Sequence, residues 1–355
     1  MALSAALLAV LGAAPYGGVD AREEEGDRPI TFARRWTADL HGGLARIGNS
    51  AVTCDEKRDQ YRIEDAAPCG SARKAEGRNT YNNDYQMTGR QRTSATLTLP
   101  TGSRIVHARL YWGGTNGMDT PNGPKTLTGD KITRVGLKAP DGRSTRVAAD
   151  APVGRSRGEV EYAYQTSADV TAVVAAAGAG AYTLTDLGVV ATPYSYGGWT
   201  LVVAYQNAAA PRRRLTLYDG YRSVLPGAPV AFTLDGVKQQ ASDWPRGRLG
   251  YVAYDGDRTL TGDQGWVRAP HAVPLGLEDA ASPYDDIMNS TADGFPRDPA
   301  DRNTFGWDAD EFDVSDALWP GDSSLGVNFS TTEDGDGFQI GVVYTQVDLR
   351  TVPNQ

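Results

Sequence analysis

Cysteine, histidine and methionine are scarce in this chain, with two, three and four among 355 residues. His41, His107 and His271 are scattered, so no His and Cys set stands at zinc-binding spacing. Bases are outnumbered by acids, 35 to 44, and the net charge of −9 argues against nucleic acid as a partner. The opening apolar run, 2–14, is shorter than the roughly 20 residues that span a bilayer, and no transmembrane segment is expected. No nucleophile elbow, P-loop or dinucleotide fingerprint occurs in a strand–turn–helix context. Gly178-Ala179-Gly180 reads as a helix stop rather than a phosphate cradle.

What is present points to strands. There are 41 Gly and 20 Pro with few helical periodicities, which favours many short strands joined by turns. Ala95, Leu97 and Leu99 alternate with polar residues, and Val106, Ala108, Leu110 and Trp112 alternate with His107 and Arg109. On that pattern His107 is a cross-strand or solvent-face residue before it is a ligand. The exception is the run that opens at Asp169, continues Val170-Thr171-Ala172-Val173-Val174 and ends before Gly178, a short capped helix.

Parts of the chain occur twice. Gly198-Trp199-Thr200-Leu201-Val202-Val203-Ala204-Tyr205 matches Gly337-Phe338-Gln339-Ile340-Gly341-Val342-Val343-Tyr344. Asp169-Val170-Thr171 stands 29 residues before the first, and Asp313-Val314-Ser315 stands 24 before the second. Arg109-Leu110-Tyr111 is echoed by Arg248-Leu249-Gly250-Tyr251. The expected fold class is therefore all-β: two tandem, duplicated, jelly-roll-like β-sandwiches with one short helix in the first. The two are expected to be separate and superposable, with Trp199 and Phe338 at equivalent buried positions. The expected division is a signal-like segment 1–21, a charged linker 22–35, a first sandwich 36–225 and a second 226–355. Arg212-Arg213-Arg214 is expected in a solvated turn.

Residues 2–14 and the small residues around Val19 and Ala21 read as an export signal. No Lys or Arg precedes Arg22, so either the true start lies upstream or the segment is only the apolar core of a signal. Outside the cytosol the lone close pair Cys54 and Cys69 is expected to form a disulfide, worth roughly 3 kcal/mol in the chain-entropy model. Acid is concentrated late: between Glu278 and Asp336 stand 16 carboxylates against two Arg, a balance of −14. Within that region Asp308, Asp310 and Asp313, with Asp334 and Asp336, are spaced beside turns as Ca²⁺ ligands could be. Solvated loop carboxylates are the plainer reading. For 308–313 the calcium reading requires a turn, because a strand would point Asp313 away from the other two.

Several motifs occur in a familiar order: Asn82-Asn83-Asp84-Tyr85-Gln86-Met87, Ala108-Arg109-Leu110-Tyr111-Trp112-Gly113-Gly114, Leu217-Tyr218-Asp219-Gly220, Gly256-Asp257-Arg258, Met288-Asn289-Ser290-Thr291 and Asp308-Ala309-Asp310-Glu311-Phe312-Asp313. With the Gly198 stretch they resemble an uncharacterised family of exported actinobacterial proteins, often found ahead of repetitive surface-stalk domains. The resemblance runs from about residue 49 to 347. It implies an all-β build and a secreted or cell-surface location, and it transfers no catalytic residue. Two functions are compatible with these features. One is a non-catalytic module for adhesion, taking a glycan or protein ligand and stabilised by calcium. The alternative is a secreted glycan hydrolase with two carboxylates of the acidic half about 5 to 9 Å apart.

Overall fold

The computed structural model describes residues 27–54, 87–158, 160–192, 195–237, 245–258, 260–333 and 335–349. The signal-like segment, Cys69 and Asp334 lie outside the described residues. Strands follow one another in short runs. The first are β1 (Ile30–Ser50), β2 (Val52–Cys54), β3 (Met87–Gly89), β4 (Arg92–Leu97), β5 (Arg104–Met118) and β6 (Lys125–Thr126). A single helical turn, α1 (Asp130–Thr133), precedes β7 (Arg134–Lys138), β8 (Ser144–Ala148), β9 (Gly154–Arg157) and β10 (Glu161–Asp169). The expected helix is α2 (Thr171–Ala177), followed by β11 (Gly180–Thr185), β12 (Gly197–Gln206) and β13 (Arg212–Val224). Then come β14 (Val230–Asp235), β15 (Gly247–Tyr254), β16 (Gln264–Arg268) and β17 (Leu275–Gly276). The chain finishes with β18 (Arg297–Asp298), β19 (Trp307–Asp313), β20 (Ser324–Ser330) and β21 (Phe338–Asp348).

All the pairings are antiparallel except two isolated bridges. The chain is all-β in class, as expected. The largest sheet runs β19-β15-β21-β13-β1-β12-β5-β10-β9, with β6 beside β5. Two smaller sheets run β18-β4-β11-β7-β8 and β14-β20-β16-β17. One order of strands occurs twice. In the large sheet β1-β12-β5-β10 is mirrored by β13-β21-β15-β19; in the small ones β4-β11-β7-β8 is matched by β14-β20-β16-β17.

The repeat extends to a hydrogen-bonded knot. The Asp169 carboxylate accepts the Thr171 N–H at 2.8 Å, and the Asp313 carboxylate accepts the Ser315 N–H at 2.9 Å. Between them Val170 and Val314 share one backbone shape (φ −121°, ψ 19° and φ −115°, ψ 21°). The Val170 N–H reaches the Ala108 carbonyl and the Val314 N–H reaches that of Gly247, both at 2.9 Å. Even the hydroxyls agree, Thr171 Oγ1 accepting from the Ala108 N–H and Ser315 Oγ from that of Gly247.

The expectation of separate sandwiches is corrected in one respect: their large sheets are continuous through β1. This strand pairs with β13 over 30–41 and with β12 over 42–50. The change of partner falls at Gly42, where an added Cβ would stand 1.9 Å from the Tyr205 carbonyl oxygen. The two halves of the large sheet then lie face to face. Val202, Ala204 and Tyr111 of one half pack with Leu217, Val252 and Tyr344 of the other in a third core, between the separate cores of the two sandwiches. Gly198 belongs to this contact, since a Cβ there would lie 2.5 Å from the Trp307 ring. Burial of this much apolar surface is the main term holding the halves together.

Two charged stretches read as linker and turn are strands. Residues 30–35 open β1, and Arg35 grips Asp219 of β13 through two bonds of 2.8 and 3.0 Å. Arg213 and Arg214 sit in β13, paired with Asp348 at 2.7 Å and with Asp39. Cross-strand partners absorb the charges that made both stretches look solvated.

Candidate functional site

A cleft of about 460 Å³ opens where the two sandwiches meet. One wall is β1 at Leu44 to Ile47 with the end of β4; the other is Arg248 of β15 and Glu311 of β19. Segment 293–296 crosses from the second sandwich to close it, and just beyond that segment β18 pairs with β4 of the first. Tyr205 and Phe295 supply half-buried aromatic surface.

Arg46 lies at the base with its side chain 7% exposed. It donates to the Asp293 carbonyl at 3.0 Å and its guanidinium sits 5.2 Å from the centre of the Phe295 ring. Burial works against its charge, but Tyr344, Asp310, Glu311 and Asp293 hold its pKa above the ordinary value. Each cleft carboxylate is committed. Asp293 meets Arg46 at 3.5 Å. Glu311 takes Arg248 at 2.8 Å on one oxygen and the Gln346 amide at 3.2 Å on the other. Asp279 Oδ1 accepts the N–H groups of Ala281 and Ser282, both at 2.8 Å. An acid and base pair for glycoside cleavage needs carboxylates able to exchange protons with a substrate.

The acids proposed for calcium fall apart into three settings. Asp308 and Asp310 lie in β19, a strand and not the turn that the full set required. Both point into the second sandwich and are buried, and among the described residues Asp308 Oδ2 and Asp310 Oδ1 have no hydrogen-bond partner. Asp313 ends the strand exposed and caps the turn at Ser315–Ala317; its pKa is held down by the Ser315 hydroxyl and N–H. Asp336 is exposed and accepts the Gly337 N–H at 2.8 Å. Among the described residues no three His, Cys, Asp or Glu converge on one point.

Burial raises several of these carboxyls. Asp310 is pushed up to about 7 by burial, with Arg46 pulling the other way and Asp293 adding to the rise. Asp308 is raised well above the ordinary carboxylate value by burial and by Asp310. Asp263, which sequence reading missed, is pushed up to about 8 by burial, with Asp286 adding to it. Asp255 is raised well above the carboxylate range by burial and by Glu161. The only sequence signal for Asp255 was an acid at the end of an apolar run, Tyr251-Val252-Ala253-Tyr254-Asp255, and Asp263, between Thr261-Gly262 and Gln264-Gly265, carried none.

His107 is a cross-strand residue, buried and stacked on Trp36 with ring centres 5.0 Å apart. Cys54 is buried at the end of β2, and its expected partner is outside the described residues. No helix among the described residues is long and apolar enough to cross a membrane.

No family model matches the chain, and no curated protein matches it. Among solved structures the chain is similar to one titled as the crystal structure of the STIV MCP. The two are 9% identical with a TM-score of 0.19, covering 89% of this chain and 96% of that one. A second, titled as the atomic structure of Sulfolobus Turreted Icosahedral Virus, is 9% identical with a TM-score of 0.20, covering 91% of each chain. At these scores neither likeness carries an argument about this chain.

Proposed function

We propose that the chain is an exported, non-catalytic binding module for adhesion, taking a glycan or protein ligand in the cleft between its two halves. The observation that carries this reading is the cleft itself: it offers aromatic surface and fixed charge, with every lining carboxylate already bonded. Ligand sites are typically such concavities with a few convergent polar groups. We read the build as a duplicated jelly roll, supported by the twice-occurring strand order and the paired Asp169 and Asp313 knots. On that reading we draw the division before β13, within 207–211. Export rests on the apolar segment at the start of the sequence, and location is secreted or cell-surface. Calcium remains part of the proposal in reduced form, with Asp308 and Asp310 as its carboxylates, Asp313 and the exposed Asp336 removed, and Asp334 outside the described residues. The buried oxygens of Asp308 and Asp310 without partners among the described residues support it.

The test is a glycan and matrix-protein binding array on the mature chain, with and without Ca²⁺, repeated for Tyr205→Ala. Retention of at least one ligand class, weakened tenfold or more in the variant, is expected. An empty array, or release of sugars from a polysaccharide that Glu311→Gln abolishes, would overturn the reading and favour the hydrolase.

A further inference from the structure

The outer face of the sheet β14-β20-β16-β17 carries a second, shallower trough of about 400 Å³, away from the cleft. Its floor follows from the strand register. Val230, Leu234, Leu325, Val327, Phe329 and Val267 turn inward to the core of the second sandwich. The alternate residues therefore face out. Register lines them up in two rows. Ala231, Asn328, Trp266 and Gly276 form the first; Thr233, Gly326 and Arg268 form the second. Neighbours along a row stand about 4.8 Å apart and the rows are about 6.7 Å apart.

Small residues thus lie beside the two large ones. Gly326 stands next to Arg268 and Gly276 next to Trp266, and a Cβ added at Gly326 would meet only the Arg268 carbonyl oxygen, at 3.5 Å. Tyr284 packs against Trp266 at 81° with ring centres 5.1 Å apart, which fixes the indole in place. Beyond their backbone ladder bonds, the side chains of Thr233, Asn328 and Arg268 make no hydrogen bond or ion pair with the described residues. Among the described residues Arg268 is the one charged residue lining the trough, in a chain of net charge −9 whose acid is concentrated in this same half.

A fixed aromatic ring beside uncommitted hydrogen-bonding groups suits the two-sided chemistry of a pyranose, apolar on its C–H face and polar at its edge. A lone guanidinium one row away adds a preference for a carboxylate, which it can meet with two parallel bonds. We propose that this trough binds an acidic saccharide, with Trp266 stacked on a uronic-acid ring, Arg268 on its carboxylate, and Asn328 and Thr233 on its hydroxyls. The proposal rests on the binding-module reading for its ligand class but not on the cleft for its site.

The test is calorimetric titration of the chain with galacturonate and glucuronate trimers, their neutral galactose and glucose counterparts, and a hexaglutamate peptide. The expected result is saturable binding of a uronate trimer at least tenfold tighter than its neutral counterpart. Trp266→Ala should abolish binding of both. Arg268→Gln should bring the two within twofold of each other, and Tyr205→Ala in the cleft should change neither. A native melting curve for each variant confirms that it is folded; Arg268→Gln, at an exposed position, keeps the test open if Trp266→Ala fails to fold. No saturable uronate binding, a preference retained in Arg268→Gln, or equal binding of hexaglutamate would each overturn the trough assignment. Uronate binding lost in Tyr205→Ala and kept in Trp266→Ala would also overturn it, while leaving the cleft reading intact.

Discussion

The buried carboxyls make a prediction about acidity that runs against ordinary acid denaturation. Asp310 and Asp263 titrate near 7 and 8 in the folded chain against 3.8 when unperturbed. A folded pKa raised above the unfolded one means that the folded state holds the proton through the interval between them. Stability therefore falls as pH rises across that interval, by about 1.4 kcal/mol per unit for each group. From pH 5 to pH 7 the two groups together remove about 5 kcal/mol, a large share of the 5–15 kcal/mol that holds a typical domain folded. Asp308 and Asp255, raised well above the carboxylate range by burial, act in the same direction. His107, held below 6.5 chiefly by burial, acts oppositely below that pH, one group against four. The assay is a melting series in chelator at pH 5.0, 6.0, 7.0 and 7.5. The midpoint is expected to drop by roughly 10 °C between pH 5 and 7. Asp310→Asn, which cannot ionise, should remove about 2 kcal/mol of that fall, the part carried by Asp310 itself. A midpoint that stays level or rises over that range would refute the assignment of protons to these buried sites.

Calcium at Asp308 and Asp310 would replace those protons, so millimolar Ca²⁺ at pH 7.5 should raise the midpoint and Asp310→Ala should cancel the gain. At a hundredfold excess over Kd the stabilisation is about 2.7 kcal/mol, and indifference to chelator would remove calcium from the site. Cys54 and Cys69 should appear as one cross-linked peptide in mass spectra of non-reduced digests; two free thiols in protein from culture medium would exclude the bridge. Asp219 accepts from Arg35 and from the Tyr111 hydroxyl at 3.1 Å, and its carboxylate lies 3.7 Å from Arg109, whose side chain is 4% exposed. Asp219→Ala should cost about 1–3 kcal/mol in urea unfolding because it takes the acceptor from the buried Tyr111 hydroxyl and from Arg35, while Asp150 and Ser167 still hold Arg109, and an unchanged midpoint would contradict that role.

The strand pattern around β5 was legible where alternation holds: Ala108, Leu110 and Trp112 line the first core as the sequence implied, whereas Val106, at a bulge opposite Ala204 and Tyr205, packs into the third core instead. The recurring Asp-Val-Thr and Asp-Val-Ser triplets were legible too, because each is a local capping device read within three residues. Segment 308–313 was not. Three Asp and one Glu in six residues look like a loop, and only the covering segment 277–306 makes a buried strand of them. The β1 junction was equally hidden. Arg34 and Arg35 look solvated until Asp219, nearly two hundred residues away, is placed across from them. The third core follows from how the large sheet folds on itself, and sequence near Gly198 shows a small residue without showing Trp307 above it.

The register about β13 has a mechanical consequence. Both β1 and β21 lie antiparallel to it, so they run parallel to each other on its two sides. The leading end of β1 is at Tyr221, and the trailing end of β21 is at Arg213, the opposite end of the same strand. A pull on the chain through these two ends drags β1 and β21 past β13 in opposite directions. The hydrogen bonds of both ladders then bear the load together instead of opening one after another. Such a clamp resists by its unfolding rate and not by its equilibrium stability, so it would hold under brief tension even where the resting protein is only marginally stable.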